Sequence, residues 1–213
     1  MKLNPAKTAL LVIDMQEGFL SPQSPTYIPA APETVPRCAQ VQQKARELGI
    51  PVYFIIRKYA PDGSDVEFTR YHAWKEGGRP CSGPEGPMSW NMPPEFQVLE
   101  GDTVVYKPRY SAFFNTNLEG LLRRRGIDTV VITGTTTPNC IRSTVFDALS
   151  YDYNPVVLED CTSSVTQQVQ DVNILGMKTI GAVICTARDF LQETVELPVT
   201  IEQVRREIAK GDA

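Results

Sequence analysis

Histidine is almost absent from this chain, since His72 is the single one among 213 residues. A zinc site of the three-histidine or two-histidine-one-glutamate type therefore cannot be built from this chain alone. Any triad that uses a histidine base would have to use His72. Cysteine is sparse as well, with five widely spaced residues and no C-x-x-C pair. This pattern argues against a zinc ribbon, a thioredoxin-type centre and a disulfide framework, and it indicates reduced thiols in a cytoplasmic protein.

Long apolar runs and an excess of positive charge are also missing. The apolar run at residues 9–13 is too short for the core of a signal peptide, and no stretch reaches the length of a membrane span. Lys and Arg total 21 against 25 Asp and Glu, which gives a net charge of −4. The basic footprint of a nucleic-acid-binding protein is therefore absent. We expect neither a membrane nor a nucleic-acid partner.

Short apolar, β-branched runs alternate with helical patterns along the chain. The predicted strands are residues 9–13, 52–56, 103–107, 129–133, 156–159 and 182–185. The predicted helices are residues 34–48, with Pro36 in the first turn, 118–125, 139–151, 165–178 and 201–210. Continuous apolar strands are typical of a parallel sheet that is covered on both faces. The sequence therefore predicts one α/β domain over residues 1–213, with three α/β/α layers and a mostly parallel, six-stranded, doubly wound, Rossmann-like sheet.

Residues 58–102 depart from this alternation because they are rich in Pro and Gly. A long irregular segment in a compact domain is usually functional or disordered. Its aromatic residues, which include Tyr59, Trp74 and Trp90, argue against disorder. We interpret the segment as an ordered loop that covers the active site at one end of the sheet. The alternative is a self-packed surface loop whose aromatics form a small core of their own.

Three reactive side chains fall where predicted strands end. Asp14 follows the first strand, Lys107 ends the third, and Cys140 begins the helix after the fourth. Ligands bind at the carboxyl ends of parallel strands, so we expect these residues to meet. A helix start favours the thiolate, and Lys107 would lower the thiol pKa further. Asp14 would take the thiol proton and deliver it to a leaving amine. Taken singly, each residue has an ordinary structural explanation: a cap, a solvated lysine or a small buried thiol.

These residues lie in three ordered motifs, VIDMQ at 12–16, VVYKPRYSAF at 104–113 and ITGTTTPNCIRST at 132–144. From about residue 8 to residue 185 the chain resembles the isochorismatase-like cysteine hydrolases. The sequence around Cys140 is similar to that of the N-carbamoylsarcosine amidase branch of this family. The resemblance implies a catalytic triad of Asp14, Lys107 and Cys140. It implies cleavage of a C–N bond in a small amide or ureido compound through a thioester, with no cofactor.

The resemblance has further implications for the backbone, the metal content and assembly. The family carries a cis peptide bond before the catalytic helix, which would join Thr135 to Thr136. The backbone N–H groups of Thr136 and Cys140 would then form the oxyanion hole. Nicotinamidases of the family hold a metal with an aspartate and paired histidines, and with His72 alone we expect no metal. Relatives commonly assemble as dimers or tetramers, so we expect a homo-oligomer.

Other residues are candidates for substrate binding or for the nucleophile. The predicted substrate-binding residues are Phe19, Trp74, Tyr110 and Arg142. Arg142 would meet a substrate carboxylate, and its alternative role is a structural ion pair. Cys161 is the rival nucleophile because it also follows a strand end. The neighbouring Asp160 would raise the pKa of that thiol, which favours Cys140.

Two alternatives to an amidohydrolase stay open at this stage. The first is an isochorismatase-type hydrolase of a vinyl ether or an ester, with Asp14 as the acid. The presence of Cys140 argues against it, because the family members that cleave vinyl ethers do not use a cysteine nucleophile. The second is a non-enzymatic binding module that uses the same fold.

Overall fold

The computed structural model describes residues 1–211, and a sheet of six strands forms its centre. The strands are β1 (Thr8–Ile13), β2 (Val52–Arg57), β3 (Thr103–Lys107), β4 (Thr129–Thr135), β5 (Asn154–Ser163) and β6 (Val183–Cys185). Their order is β3-β2-β1-β4-β5-β6, and every neighbouring pair is parallel. The predicted doubly wound α/β sheet is confirmed.

The central strands are apolar along their whole length because both faces of the sheet are covered. Every residue of β1, β2 and β4 is buried. The helices are α1 (Glu17–Leu20), α2 (Ala31–Glu47), α3 (Tyr71–Glu76), α4 (Leu118–Arg124), α5 (Arg142–Ser150), α6 (Gln167–Thr179), α7 (Ala187–Leu191) and α8 (Ile201–Lys210). Helices α2 and α7 pack on one face of the sheet, and α4, α5 and α6 pack on the other. No helix within residues 1–211 is long and apolar enough to cross a membrane.

The first long helix begins earlier than the sequence pattern indicated. α2 starts at Ala31 rather than Thr34, so Pro32 occupies its first turn and Pro36 lies inside the helix. The fixed φ of proline suits the first turn, and Pro32 supplies it. The placement of Pro36 in the first turn was therefore wrong. The short helices α1, α3 and α7 were not predicted.

Strands β1 and β4 approach each other closely at the point where the strand order reverses. Gly134 in β4 has φ +118°, and a Cβ at this position would lie 1.9 Å from the carbonyl oxygen of Ile13. Glycine is therefore required there. Asp14 follows β1 with φ +53° and donates its backbone N–H to the carbonyl of Ile55 at 2.8 Å. The tight approach places Asp14 in the crevice where doubly wound sheets bind ligands.

Residues 58–102 are ordered, with α3 and two short 3₁₀ turns. Four of their side chains form a small buried cluster: Tyr59, Val66, Trp74 and Cys81. The indole N–H of Trp74 donates to the carbonyl of Pro80 at 3.0 Å. The segment thus has a small core of its own, as the self-packed alternative predicted. Its inner side also forms a wall of the cavity described next.

Candidate active site

Asp14, Lys107 and Cys140 are in contact at the carboxyl ends of β1, β3 and β4. The Lys107 ammonium donates to Oδ2 of Asp14 at 2.8 Å and to Sγ of Cys140 at 3.3 Å. It also donates to the carbonyl of Arg109 at 3.2 Å. Asp14 and Lys107 have no exposed surface, and Cys140 is 5% exposed. The prediction that these three residues meet at one sheet edge agrees with this geometry.

The surroundings of Cys140 favour the neutral thiol over the thiolate. Burial raises its pKa to about 11, and the Asp14 charge adds to the increase. Lys107 and Arg57 act in the opposite direction without overcoming it. Lys107 lowers this pKa, as the sequence predicts. The net shift is nevertheless upwards, because burial penalises the thiolate more strongly than the nearby cations favour it. A nucleophile in this setting needs a base beside it, and Asp14 is in position to be one.

One oxygen of Asp14 is free to take that proton. Oδ2 accepts from Lys107, whereas Oδ1 is buried and has no hydrogen-bond partner within residues 1–211. A buried acceptor without a partner costs about 1–3 kcal/mol. Such a cost is tolerated at sites where a partner arrives during function.

The backbone around Cys140 is held in a fixed turn. Residues Thr137–Ile141 form a π-helical turn that continues into α5. The carbonyl of Thr136 accepts from the N–H groups of Asn139 and Ile141 at 3.1 and 3.3 Å. The Thr144 hydroxyl donates to the carbonyl of Cys140 at 2.7 Å. The peptide bond between Thr135 and Thr136 is cis, at the position that the family resemblance implies.

A cavity of about 440 Å³ opens above this turn. Cys140 and Thr136 line it, together with three of the four predicted substrate-binding residues: Phe19, Trp74 and Tyr110. A larger surface depression of about 870 Å³ lies along α6, but Cys140 is absent from its lining. The smaller cavity is therefore the candidate active site.

The fourth predicted substrate-binding residue, Arg142, lies outside the cavity. It is exposed on α5, and its guanidinium lies 5.2 Å from the ring centre of Phe146. Its predicted contact with a substrate carboxylate was wrong. Residues two apart on a helix point in different directions. Because Cys140 faces the cavity, Arg142 faces the opposite side.

Several polar residues of the cavity were not predicted, and Arg57, Tyr59 and Arg70 are among them. Arg57 ends β2 in the same way that Lys107 ends β3, so the strand-end argument could have found it. The predicted second strand stopped one residue short, at Ile56, and left Arg57 out. Tyr59 and Arg70 come from the irregular segment, and no sequence pattern pointed to their inward placement.

The other cysteines are less suited to act as the nucleophile. Cys38 and Cys161 are fully buried, and neither lines the cavity. A hydrogen bond with Cys38, together with burial, raises the pKa of Cys161 well above its usual range. Cys81 does line the cavity, and burial raises its pKa to about 12. Neither Cys81 nor Cys161 contacts a lysine in the way that Cys140 contacts Lys107.

The residues present do not fit the metal site of the family's nicotinamidases. His72 is exposed on α3, with its ring against Tyr71, and it does not line the cavity. Within the described chain, no group of three or more His, Cys, Asp or Glu side chains could hold a metal ion.

Comparisons with known proteins place the chain in a family. Residues 8–189 match the Isochorismatase domain family. A probable inactive nicotinamidase of Arabidopsis thaliana is 38% identical over 190 residues, which cover 87% of this chain and 95% of that protein. Maleamate amidohydrolase of Pseudomonas putida is 28% identical over 193 residues, which cover 88% of this chain and 86% of that protein.

A solved structure shares both the fold and part of the sequence. The crystal structure of N-carbamoylsarcosine amidase from Thermoplasma acidophilum superposes with a TM-score of 0.70 and is 29% identical. The superposition covers 85% of this chain and 96% of that one. The motifs, the fold and the family match agree, and this chain belongs to the isochorismatase family.

Proposed function

We propose that this chain is a metal-independent cysteine amidohydrolase that cleaves a C–N bond of a small polar amide or ureido compound through a thioester. The observation that carries the proposal is the buried contact of Asp14, Lys107 and Cys140, of which Cys140 lines an open cavity. The similarity to maleamate amidohydrolase and to N-carbamoylsarcosine amidase supports it.

The first step is attack of Cys140 on the substrate carbonyl. Asp14 takes the thiol proton on Oδ1 as the new S–C bond forms, since the thiol pKa of about 11 leaves little thiolate at neutral pH. Lys107 then lies 3.3 Å from a sulfur that carries negative charge in the transition state. A fixed ammonium in a dry site stabilises such charge strongly.

The carbonyl oxygen becomes negative in the same step. In this proposal the backbone N–H groups of Thr136 and Cys140 bind that oxygen. Both residues line the cavity beside the thiol. Backbone donors of this kind are fixed before reaction, and each contributes about 2.7–4 kcal/mol to the barrier reduction in other hydrolases.

The tetrahedral intermediate then collapses. Asp14 returns the proton to the nitrogen, the C–N bond breaks, and ammonia or an amine leaves the acylated Cys140. A water molecule, deprotonated by Asp14, attacks the thioester carbonyl. The acid product leaves, and the proton returns to the sulfur.

The test is ammonia or amine release from a panel of small amides and ureides, measured for the wild type, Cys140→Ala and Cys185→Ala. Cys185 ends β6 and does not line the cavity, so its substitution is the matched control. We expect release by the wild type and by Cys185→Ala, and none by Cys140→Ala. Full activity of Cys140→Ala would overturn the proposal.

A vinyl ether and an ester are added to the panel to separate the two alternatives from the proposal. A vinyl ether or ester hydrolase would keep its activity in Cys140→Ala and lose it in Asp14→Asn. A binding module would bind members of the panel without releasing product. Slow alkylation of Cys140 at neutral pH does not distinguish these cases, because burial raises the pKa of the thiol in all of them.

A further inference from the structure

Both charged side chains that line the cavity, among the residues described, are arginines: Arg57 and Arg70. Arg57 ends β2, and its side chain is 4% exposed. Arg70 follows in the irregular segment, and its side chain is 45% exposed. Asp14 and Lys107 form a neutral pair beneath the cavity. The net charge at the cavity wall therefore depends on the two arginines and on the side chains that pair with them.

The guanidinium of Arg57 is held in place but keeps a free donor. Its Nη2 donates to Glu67 at 2.5 Å and also to the Tyr59 hydroxyl. Its Nε is buried and has no hydrogen-bond partner within the described residues. The side-chain amide of Gln16 fixes the Arg57 backbone, accepting its N–H at 2.6 Å and donating to its carbonyl at 2.8 Å. A fixed arginine with an unused donor is suited to bind an acceptor on a ligand.

The charges on this wall do not cancel. Glu67 pairs with Arg57 at 2.5 Å and with Arg70 at 3.7 Å, so one carboxylate serves two guanidinium groups. Tyr59 stays neutral, because burial raises its pKa above the usual range. Two positive charges and one negative charge leave one net positive charge at the cavity wall.

Both guanidinium groups lie near the ring of Tyr110. The guanidinium carbons of Arg57 and Arg70 lie 5.1 and 5.7 Å from the centre of its ring. The remaining walls are largely apolar or aromatic, with Phe19, Trp74 and Val66 among them. The cavity therefore combines one net positive charge with largely apolar walls.

We propose that Arg57 and Arg70 form a carboxylate-binding subsite, so that the substrate is a small amide or ureide that also carries a carboxylate. This inference rests on the proposed function and narrows its substrate class. Cys140 attacks the carbonyl of the substrate, and the two arginines hold its carboxylate. The acidic Glu67 keeps the two guanidinium groups in position without neutralising both.

The experiment compares each of three anionic probes with its neutral amide. The probes are maleamate, N-carbamoylglycine and 3-ureidopropionate. Equilibrium binding is measured by calorimetry on Cys140→Ala protein, so that no probe is consumed. The same measurements are made after adding Arg57→Gln, Arg70→Gln or Arg79→Gln. Arg79 lies in the same segment and does not line the cavity, so it is the matched control.

We expect at least one anion to bind about 10- to 100-fold more tightly than its amide, the range of a charge-assisted hydrogen bond. Arg57→Gln should abolish this preference, Arg70→Gln should reduce it, and Arg79→Gln should leave it unchanged. If Arg57→Gln fails to fold by circular dichroism, the half-exposed Arg70 still tests the subsite. A structural role for Arg57 would change stability without changing the preference of acid over amide.

The subsite is overturned if every neutral amide binds as tightly as its acid, or if the preference survives both the Arg57 and the Arg70 substitutions. This outcome is distinct from failure of the proposed function. Cys140-dependent hydrolysis without a preference for anions would remove the subsite and keep the chemistry. A preference for anions in a protein that never hydrolyses them would keep the subsite and remove the chemistry.

Discussion

Lys107 and Asp14 form an ion pair in which neither side chain has any exposed surface, with 2.8 Å between Nζ and Oδ2. The two residues are 93 positions apart in the chain and join the ends of β3 and β1. Removing two charges from water is costly, and close contact compensates for that cost only while both charges are present. The pair therefore links the stability of the fold to the integrity of the candidate active site.

Substitution of Lys107 by Met should destabilise the fold as well as stop turnover. We expect a loss of about 3–5 kcal/mol in the free energy of unfolding, because the Asp14 carboxylate is left buried without its cation. The free energy of unfolding is measured by urea denaturation followed by circular dichroism. The double variant Lys107→Met with Asp14→Asn should be more stable than the sum of the single effects predicts. A loss below about 1 kcal/mol for Lys107→Met, the value for an exposed pair, would contradict this account.

The reactivity of Cys140 should increase with pH well into the alkaline range. Its pKa is raised to about 11, so the thiolate fraction is small at pH 7 and grows as pH rises towards that value. Iodoacetamide labelling of Cys140, followed by peptide mass spectrometry from pH 7 to pH 10.5, measures this profile. Asp14→Asn removes a charge that raises the pKa, so labelling at pH 8 should become faster. A plateau already reached at pH 8 in the wild type would contradict the direction of the shift.

Gly134→Ala should damage both the fold and the site. The added Cβ would lie 1.9 Å from the Ile13 carbonyl, at a φ of +118° that other residues rarely adopt. We expect a loss of more than about 3 kcal/mol in unfolding free energy from overpacking and backbone strain together. Gly176→Ala is the matched control, because a Cβ there meets nothing within 4 Å in α6. That control should stabilise the protein by about 0.5–1 kcal/mol, and equal effects at both positions would refute the argument.

Arg142→Ala should leave catalysis unchanged. Its side chain lies on the outer surface of α5 and not in the cavity. Surface substitutions usually change free energies by about 0.5 kcal/mol or less, which corresponds to about twofold in KM. Steady-state kinetics on the best substrate of the panel checks this. A large rise in KM would place Arg142 at the substrate after all.

The sequence was informative where strand ends carry reactive residues. Apolar runs predicted all six strands, and the residues at their carboxyl ends included Asp14 and Lys107. Cys140 followed from the motif after β4. These predictions worked because a parallel sheet brings the ends of its strands to one edge, whatever the loops do.

Other features depend on distances and burial that the sequence does not contain. The lowering effect of Lys107 on the pKa of Cys140 was predicted, but the net increase was not, because the depth of burial appears only in the folded chain. The inward placement of Tyr59 and Arg70 depends on how residues 58–102 fold back over the sheet. Arg142 is a different case, since helical geometry alone could have shown that it points away from Cys140. Assembly into a dimer or tetramer stays a prediction.

The central claim is a covalent acyl intermediate on Cys140, and trapping it is the most direct test. Wild-type protein is mixed with the best substrate of the amide and ureide panel, quenched in acid within milliseconds, and digested for mass spectrometry. We predict an adduct with the mass of the acyl group on the peptide that contains Cys140, absent from Cys140→Ala. Turnover at full rate in Cys140→Ala, with no adduct on the wild-type peptide, would contradict it.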